Sequence, residues 1–158
     1  MSRDNPLKKW HVVFLGLLVI SFFFLRLWPD DPPTQTIVLK NQELDVYVAK
    51  TLEDMYRGLG GRASLDDKDG MLFVYDFSGK HGIVMRDMQF AIDIVWFDRG
   101  TVVDIAPGVP AEPGVPEHAL RPYRPRVAST LILELPAGWA AAHELKIGDI
   151  LMLSEESS

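Results

Sequence analysis

Cysteine is absent from the 158 residues, which excludes disulfides, thiolate metal sites and a cysteine nucleophile. Histidine is scarce. His11, His81, His118 and His143 are scattered, and His143-Glu144 lacks the second histidine of a zinc-binding H-E-x-x-H pair. No metal and no cofactor is therefore expected. Neither a G-x-x-x-x-G-K-[ST] nor a G-x-G-x-x-G pattern occurs, so Gly58, Gly60, Gly61 and Gly70 read as turn and cap residues rather than a phosphate cradle. Ser64, Ser78 and Ser129 stand in no nucleophile-elbow context. Positive charge is in deficit, with 16 basic against 22 acidic residues and a net charge of −6. That balance argues against nucleic acid as a partner.

One long apolar run is present. From Val12 to Leu25 only Gly16 and Ser21 are not large and apolar. Trp10 and Trp28 bracket it, and those 19 residues would span roughly 28 Å as a helix, about one hydrocarbon core. Indoles favour the headgroup level. A soluble amphipathic helix would need a polar stripe, and the run has none. Cleavage as a signal peptide, which would leave a secreted or periplasmic domain, needs small residues in an A-x-A-like pattern; Arg26-Leu27-Trp28-Pro29-Asp30 follows instead. An uncleaved transmembrane anchor over residues 10–28, with the lipid bilayer as its partner, is expected.

Arg3, Lys8 and Lys9 precede the span and Asp30 and Asp31 follow it. The positive-inside rule then places residues 1–9 in the cytoplasm and the rest outside the cell (inner) membrane. Twelve basic and twenty-one acidic residues lie beyond Trp28, so the exported part carries −9. Such a surface avoids anionic lipid headgroups. Residues 29–35, with Asp30-Asp31-Pro32-Pro33, read as a stiff tether. An exported domain follows over residues 36–153, then a short tail, 154–158.

Within that domain, Thr36–Leu39 and Leu44–Ala49 predict a hairpin. Thr51 with Asp54 predicts a helix start, and Leu52, Met55, Tyr56 and Leu59 share one helical face until Gly60-Gly61 ends it. Further strands are expected at Met71–Tyr75, Ile83–Met85, Phe90–Phe97, Thr101–Ala106, Thr130–Leu135 and Ile150–Leu153. Pro136 suits the first position of a second helix reaching about Glu144. Six prolines between 107 and 125 predict a long loop without regular structure. The fold class is α+β, mostly β: a compact mixed sheet or partly open barrel with two short helices.

The order of motifs resembles one family. Arg57-Gly58-Leu59-Gly60-Gly61-Arg62 with Leu65, Gly70-Met71-Leu72-Phe73-Val74 and Met85-Arg86 form its first half. Ile92-Asp93-Ile94, Leu133-Glu134-Leu135-Pro136-Ala137-Gly138 and Gly148-Asp149 complete it. This run is similar to domain-of-unknown-function family 192, small and often membrane-anchored or exported bacterial and archaeal domains, over about Leu44 to Leu153. The resemblance implies a β-rich α+β domain with no established activity. The family's central Phe-Trp-Met-Lys-Asn-Thr reads Ile83-Val84-Met85-Arg86-Asp87-Met88 here, which puts any ligand site shared through that stretch in doubt.

Two carboxylates stand inside apolar strands, Asp93 in Phe90–Phe97 and Glu134 in Leu131–Leu135. Desolvating a lone carboxylate costs several kcal/mol, so each must be paired, hydrogen-bonded or protonated. Internal ion pairs with Arg57, Arg62 or Arg86 are expected; a general acid–base pair is the catalytic alternative. The stretch Glu117–Arg126 is basic and carries an aromatic residue in an acidic domain. Arg121, Tyr123, Arg124 and Arg126, together with Arg86 and Asp87, form the candidate surface for an anionic ligand or an envelope protein. A binding module is the leading expectation, with an exported hydrolase using Asp93 and Glu134 or an envelope scaffold as alternatives.

Overall fold

The computed structural model describes residues 6–26 and 31–154. The chain divides into two compact units, Met1–Asp31 and Pro32–Ser158. In the first, helix α1 (Pro6–Arg26) forms, and its described side chains, at residues 10–22, are exposed. Among the described residues no helix is long and apolar enough to cross a membrane. Arg3, the Trp28 end of the expected anchor, the first tether residues and the 155–158 tail lie outside the described residues.

The second unit is mostly β. Strands β1 (Thr34–Leu39) and β2 (Gln42–Ala49) form the expected hairpin; Lys40 and Asn41, with φ of 55° and 60°, supply its two-residue left-handed turn. Helix α2 (Leu52–Arg57) starts where the capping pattern places it, the Thr51 hydroxyl accepting from the Asp54 amide at 3.1 Å. It ends earlier than expected, at Gly58 with φ of 53°. Gly60 serves a close approach instead, since a Cβ there would lie 2.6 Å from the Arg86 carbonyl. Next come β3 (Gly70–Gly79), β4 (Ile92–Asp98), β5 (Thr101–Val109), β6 (Ser129–Pro136), α3 (Trp139–Ala142) and β7 (Leu151–Leu153).

The strand order is β5-β4-β6-β3-β2-β1-β7, antiparallel except for the β2–β3 pair, whose crossover carries α2. The two edge strands approach at one end: Thr101 bridges Ile150, and the Val102 amide donates to the Asp149 carbonyl at 2.8 Å. The result is a half-barrel sheet.

Three local expectations are corrected. Ile83–Met85 makes a single bridge, Ile83 to Tyr123, rather than a strand. Strand β5 runs on through Pro107 to Val109, and a 3-10 turn occupies Glu117–Ala119, so the proline-rich stretch is partly regular. Pro107 is tolerated because it falls where the register of edge strand β5 on β4 shifts, between the Ile94–Ala106 and Ile92–Val109 pairs. Pro136 closes β6 instead of opening a helix, and α3 begins after Gly138, whose φ is 92°.

Strand alternation sorts the core into two faces. On one, Val95 and Phe97 of β4 and Leu133 and Leu135 of β6 meet Ala140 and Leu145. On the other, Ile92, Ile94, Trp96 and Ile132 meet Leu59, Ile83, Met85 and Met88. Asp93 belongs to the first face and is fully buried. It pairs with none of the expected arginines. Its Oδ1 accepts from the backbone amides of Gly108 at 2.7 Å and Gly138 at 3.1 Å, and its Oδ2 from Ala140 at 2.8 Å. One side chain thereby ties β4 to the end of β5 and to the β6–α3 turn.

An Asp93→Asn substitution turns one acceptor oxygen into a donor facing donors. A loss of about 2–3 kcal/mol is expected, read as a melting temperature lower by about 5–10 °C. An unchanged melting temperature would show that the β6–α3 turn is held by other contacts.

Candidate functional site

Residue Glu134 lies on the second face, opposite Met71 of β3 and Ile94 of β4. It is 4% exposed, and its Oε2 has no hydrogen-bond partner. Burial pushes its pKa up to about 8, so the carboxyl is mostly protonated at neutral pH. Glu134 borders a cleft of about 360 Å³ between α2 and the Gly82–Met88 segment. The apolar lining comes from Met55, Leu59, Phe73, Ile83 and Met88, and the polar lining from Tyr56, Arg57, Tyr75 and Arg86.

Each wall has a local cause. The Tyr75 ring is stacked on His81 at 3.7 Å, and His81 Nε2 lies 2.9 Å from the Phe77 carbonyl. Burial, and then the Glu134 charge, raise the Tyr75 hydroxyl above its ordinary pKa. Arg86 stacks over the Tyr56 ring at 3.8 Å and donates to the Tyr56 carbonyl at 2.6 Å. Arg86 Nε also donates to Glu117 Oε1 at 3.1 Å, and the Tyr56 hydroxyl donates to Glu117 Oε2 at 3.2 Å. The Arg86 hydrogen bond, then that of Tyr56, holds the Glu117 pKa below its usual value. Glu117 therefore straps the proline-rich loop to α2 beside the cleft.

Residues 35–153 match the profile of domain-of-unknown-function family 192, described as “Uncharacterized ACR”. The chain belongs to this family. No curated protein matches it. Among solved structures it is similar to a candidate transcription regulator from Sinorhizobium meliloti 1021, with TM-score 0.69 and 18% identity over 80% of this chain and 98% of that one. It is also similar to a protein of unknown function from Novosphingobium aromaticivorans DSM 12444, with TM-score 0.61 and 24% identity over 75% and 82%. These likenesses show the fold alone.

In this family 192 chain the expected site residues fall in four places. Asp93 and Glu134 project from opposite faces of the sheet, so they do not form an acid–base pair. The expected partners of Glu134 have other contacts: Arg57 with Glu53 at 2.8 Å, Arg62 over the Tyr47 ring at 4.3 Å, and Arg86 with Glu117. Arg121, Tyr123 and Arg124 do come together, around a depression of about 310 Å³ on the Trp96–Asp104 side. Arg126 is held by Asp104, with Nη2 to Oδ1 at 2.7 Å. Burial opposes ionisation of Asp104, but the Arg126 hydrogen bonds outweigh it and keep its pKa below the usual range.

Arg86 lines the Glu134 cleft instead of joining this surface. Asp87 is exposed in a left-handed turn with φ of 53°, its carbonyl accepting from the Gly61 amide at 2.9 Å. Sequence reading missed Tyr75 and Tyr56 as lining residues. The alternation Met71-Phe73-Tyr75 was the available signal for Tyr75, but only the β3–β6 register sets it on the Glu134 face. A more polar depression of about 410 Å³ near Asp45 and Lys50 contains no buried, partnerless side-chain atom among its lining residues. Among the described residues the other such atom, Glu112 Oε1, borders none of these cavities.

The raised Glu134 pKa fixes the sign of a stability effect. Between pH 4.5 and about 8 the folded carboxyl holds a proton that the unfolded one has lost, so stability falls as pH rises through that window. Glu134→Gln removes the titration. It should stabilise the protein at pH 9 by on the order of 5 kcal/mol, a melting temperature higher by about 10–20 °C. The same pH slope in both proteins would refute the assignment.

Proposed function

We propose that this family 192 chain is a single-pass membrane protein, N-terminus in the cytoplasm, that presents a small-ligand-binding domain outside. The site is the cleft between α2 and the Gly82–Met88 segment, bordered by Glu134 of β6. The observation that carries the reading is Glu134 Oε2, a buried polar atom without a partner bordering a cleft. Buried polar groups are ordinarily satisfied, and a partnerless one beside a mostly apolar cavity fits a binding site awaiting a ligand's polar group. The opposite-face placement of Asp93 speaks against the acid–base hydrolase alternative. Exposed Ile147, Ile150, Met152 and Leu153 near β7 would suit a scaffold, but they present no comparable polar group.

The anchor rests on the apolar run Val12–Leu25, its flanking charges and the exposed apolar side chains of α1. A periplasm-active reporter fused after Ser158 should be active in cells, and activity only from a cytoplasm-active reporter would reject the orientation.

Six methionines provide the binding test in the full chain embedded in lipid nanodiscs, with 13C-labelled methionine methyls. Met55 and Met88 line the cleft, whereas Met152 lies on β7. A mixture of neutral, anionic and cationic organic compounds of six to ten heavy atoms should shift Met55 and Met88 but not Met152. No shift at Met55 and Met88 would reject the cleft as the site.

A further inference from the structure

The cleft combines three features that restrict what enters it. Its interior is largely apolar, from Met55, Leu59, Phe73, Ile83 and Met88. Two guanidinium groups, Arg57 and Arg86, border it, and among the described residues Glu134 is the sole carboxylate in its lining. Both arginines already contact acids that are not part of the lining, Glu53 and Glu117.

An ammonium ion would have to pass the arginines and ionise a carboxyl enclosed by apolar side chains. An anion would have to set its charge beside that same carboxyl. A neutral carbonyl on an apolar body meets neither penalty. It can accept the O–H that a protonated carboxyl offers, and its chain removes the remaining apolar wall from water.

We propose that the cleft selects an uncharged carbonyl group, such as an amide, carried on a short apolar chain and hydrogen-bonded to Glu134 Oε2. This inference rests on the reading of the cleft as a ligand site and names the class of ligand. Recognition is then pH-dependent. The charged and titratable groups around Glu134 are Tyr75 on β3, Tyr56 and Arg57 on α2, and Arg86 on the Gly82–Met88 segment. Beyond Met71, Tyr47 lies in the same ladder row with Arg62 stacked over it; the β4 neighbour is Ile94. Burial raises the Tyr75 hydroxyl above its ordinary value, and His81, stacked on that ring, is the titratable group behind it.

The test is a matched series of hexanamide, hexanoate and hexylammonium, titrated into the full chain in nanodiscs at pH 6 and pH 9. The Met55 and Met88 methyls report binding, with Met152 as reference. Hexanamide should bind about tenfold or more tightly than either ion at pH 6. It should weaken about tenfold by pH 9, where about nine-tenths of Glu134 is ionised. Glu134→Gln should keep hexanamide binding within about threefold and abolish its pH dependence, because its amide still donates. Tightest binding by hexylammonium, strengthening towards pH 9, would overturn the carbonyl class in favour of an amine site. Tightest binding by hexanoate would overturn it in favour of an anion site. In both cases the cleft stands as a ligand site. If none of the three shifts Met55 or Met88 at either pH, the cleft reading and the ligand class fall together.

Discussion

Strand β6 is paired on both sides, to β3 through Met71 and Glu134 and to β4 through Ile94 and Glu134. A strand held in two ladders cannot rotate a side chain out to an edge, and both faces of the sheet here are covered by apolar clusters. Glu134 is therefore confined to a desolvated position by backbone hydrogen bonds rather than by its own contacts. The same close packing explains Gly70 at the start of β3, where a Cβ would fall 2.2 Å from the Glu134 carbonyl oxygen. The cleft, the raised carboxyl pKa and the orphaned oxygen all descend from this double pairing.

Two buried carboxylates in neighbouring strands meet opposite fates. The oxygens of Asp93 receive three backbone amides, so its interactions are saturated inside the protein and its role is to fasten the ends of β5 and β6. Glu134 faces methionine, isoleucine and aromatic side chains, which offer its Oε2 nothing. The apolar surroundings favour the neutral acid over the carboxylate. One carboxylate works in the architecture and the other is left for chemistry with something from outside, a division of labour that strand alternation produces.

The basic loop carries less free charge than its composition suggests. Arg126 is fastened to Asp104, and the 3-10 turn places Glu117 against Arg86 and Tyr56. These bonds bind the proline-rich segment to β5 at one point and to α2 at another. The segment forms part of the wall structure around the cleft, and its prolines limit the conformations it can adopt once those bonds are made.

Much of the local structure was readable from residues near one another in the chain. The Lys40-Asn41 turn, the Thr51 cap and the alternating apolar strands follow from backbone preferences that act over a few positions. Asp93 and Glu134 were visible as ionisable residues inside apolar runs. Their neighbours were not. Gly58 ends α2 before Gly60 because Gly60 is needed where the chain touches Arg86, and Pro136 joins a strand because Ile92 pairs with it. Local sequence determined which residues form strands and which side chains share a face along one strand. Only tertiary pairing decided that Asp93 and Glu134 lie on opposite sides of the sheet, and that Tyr56, Tyr75 and Arg86 surround the second. The order and register of strands depend on contacts between residues far apart in the chain, which no local preference encodes.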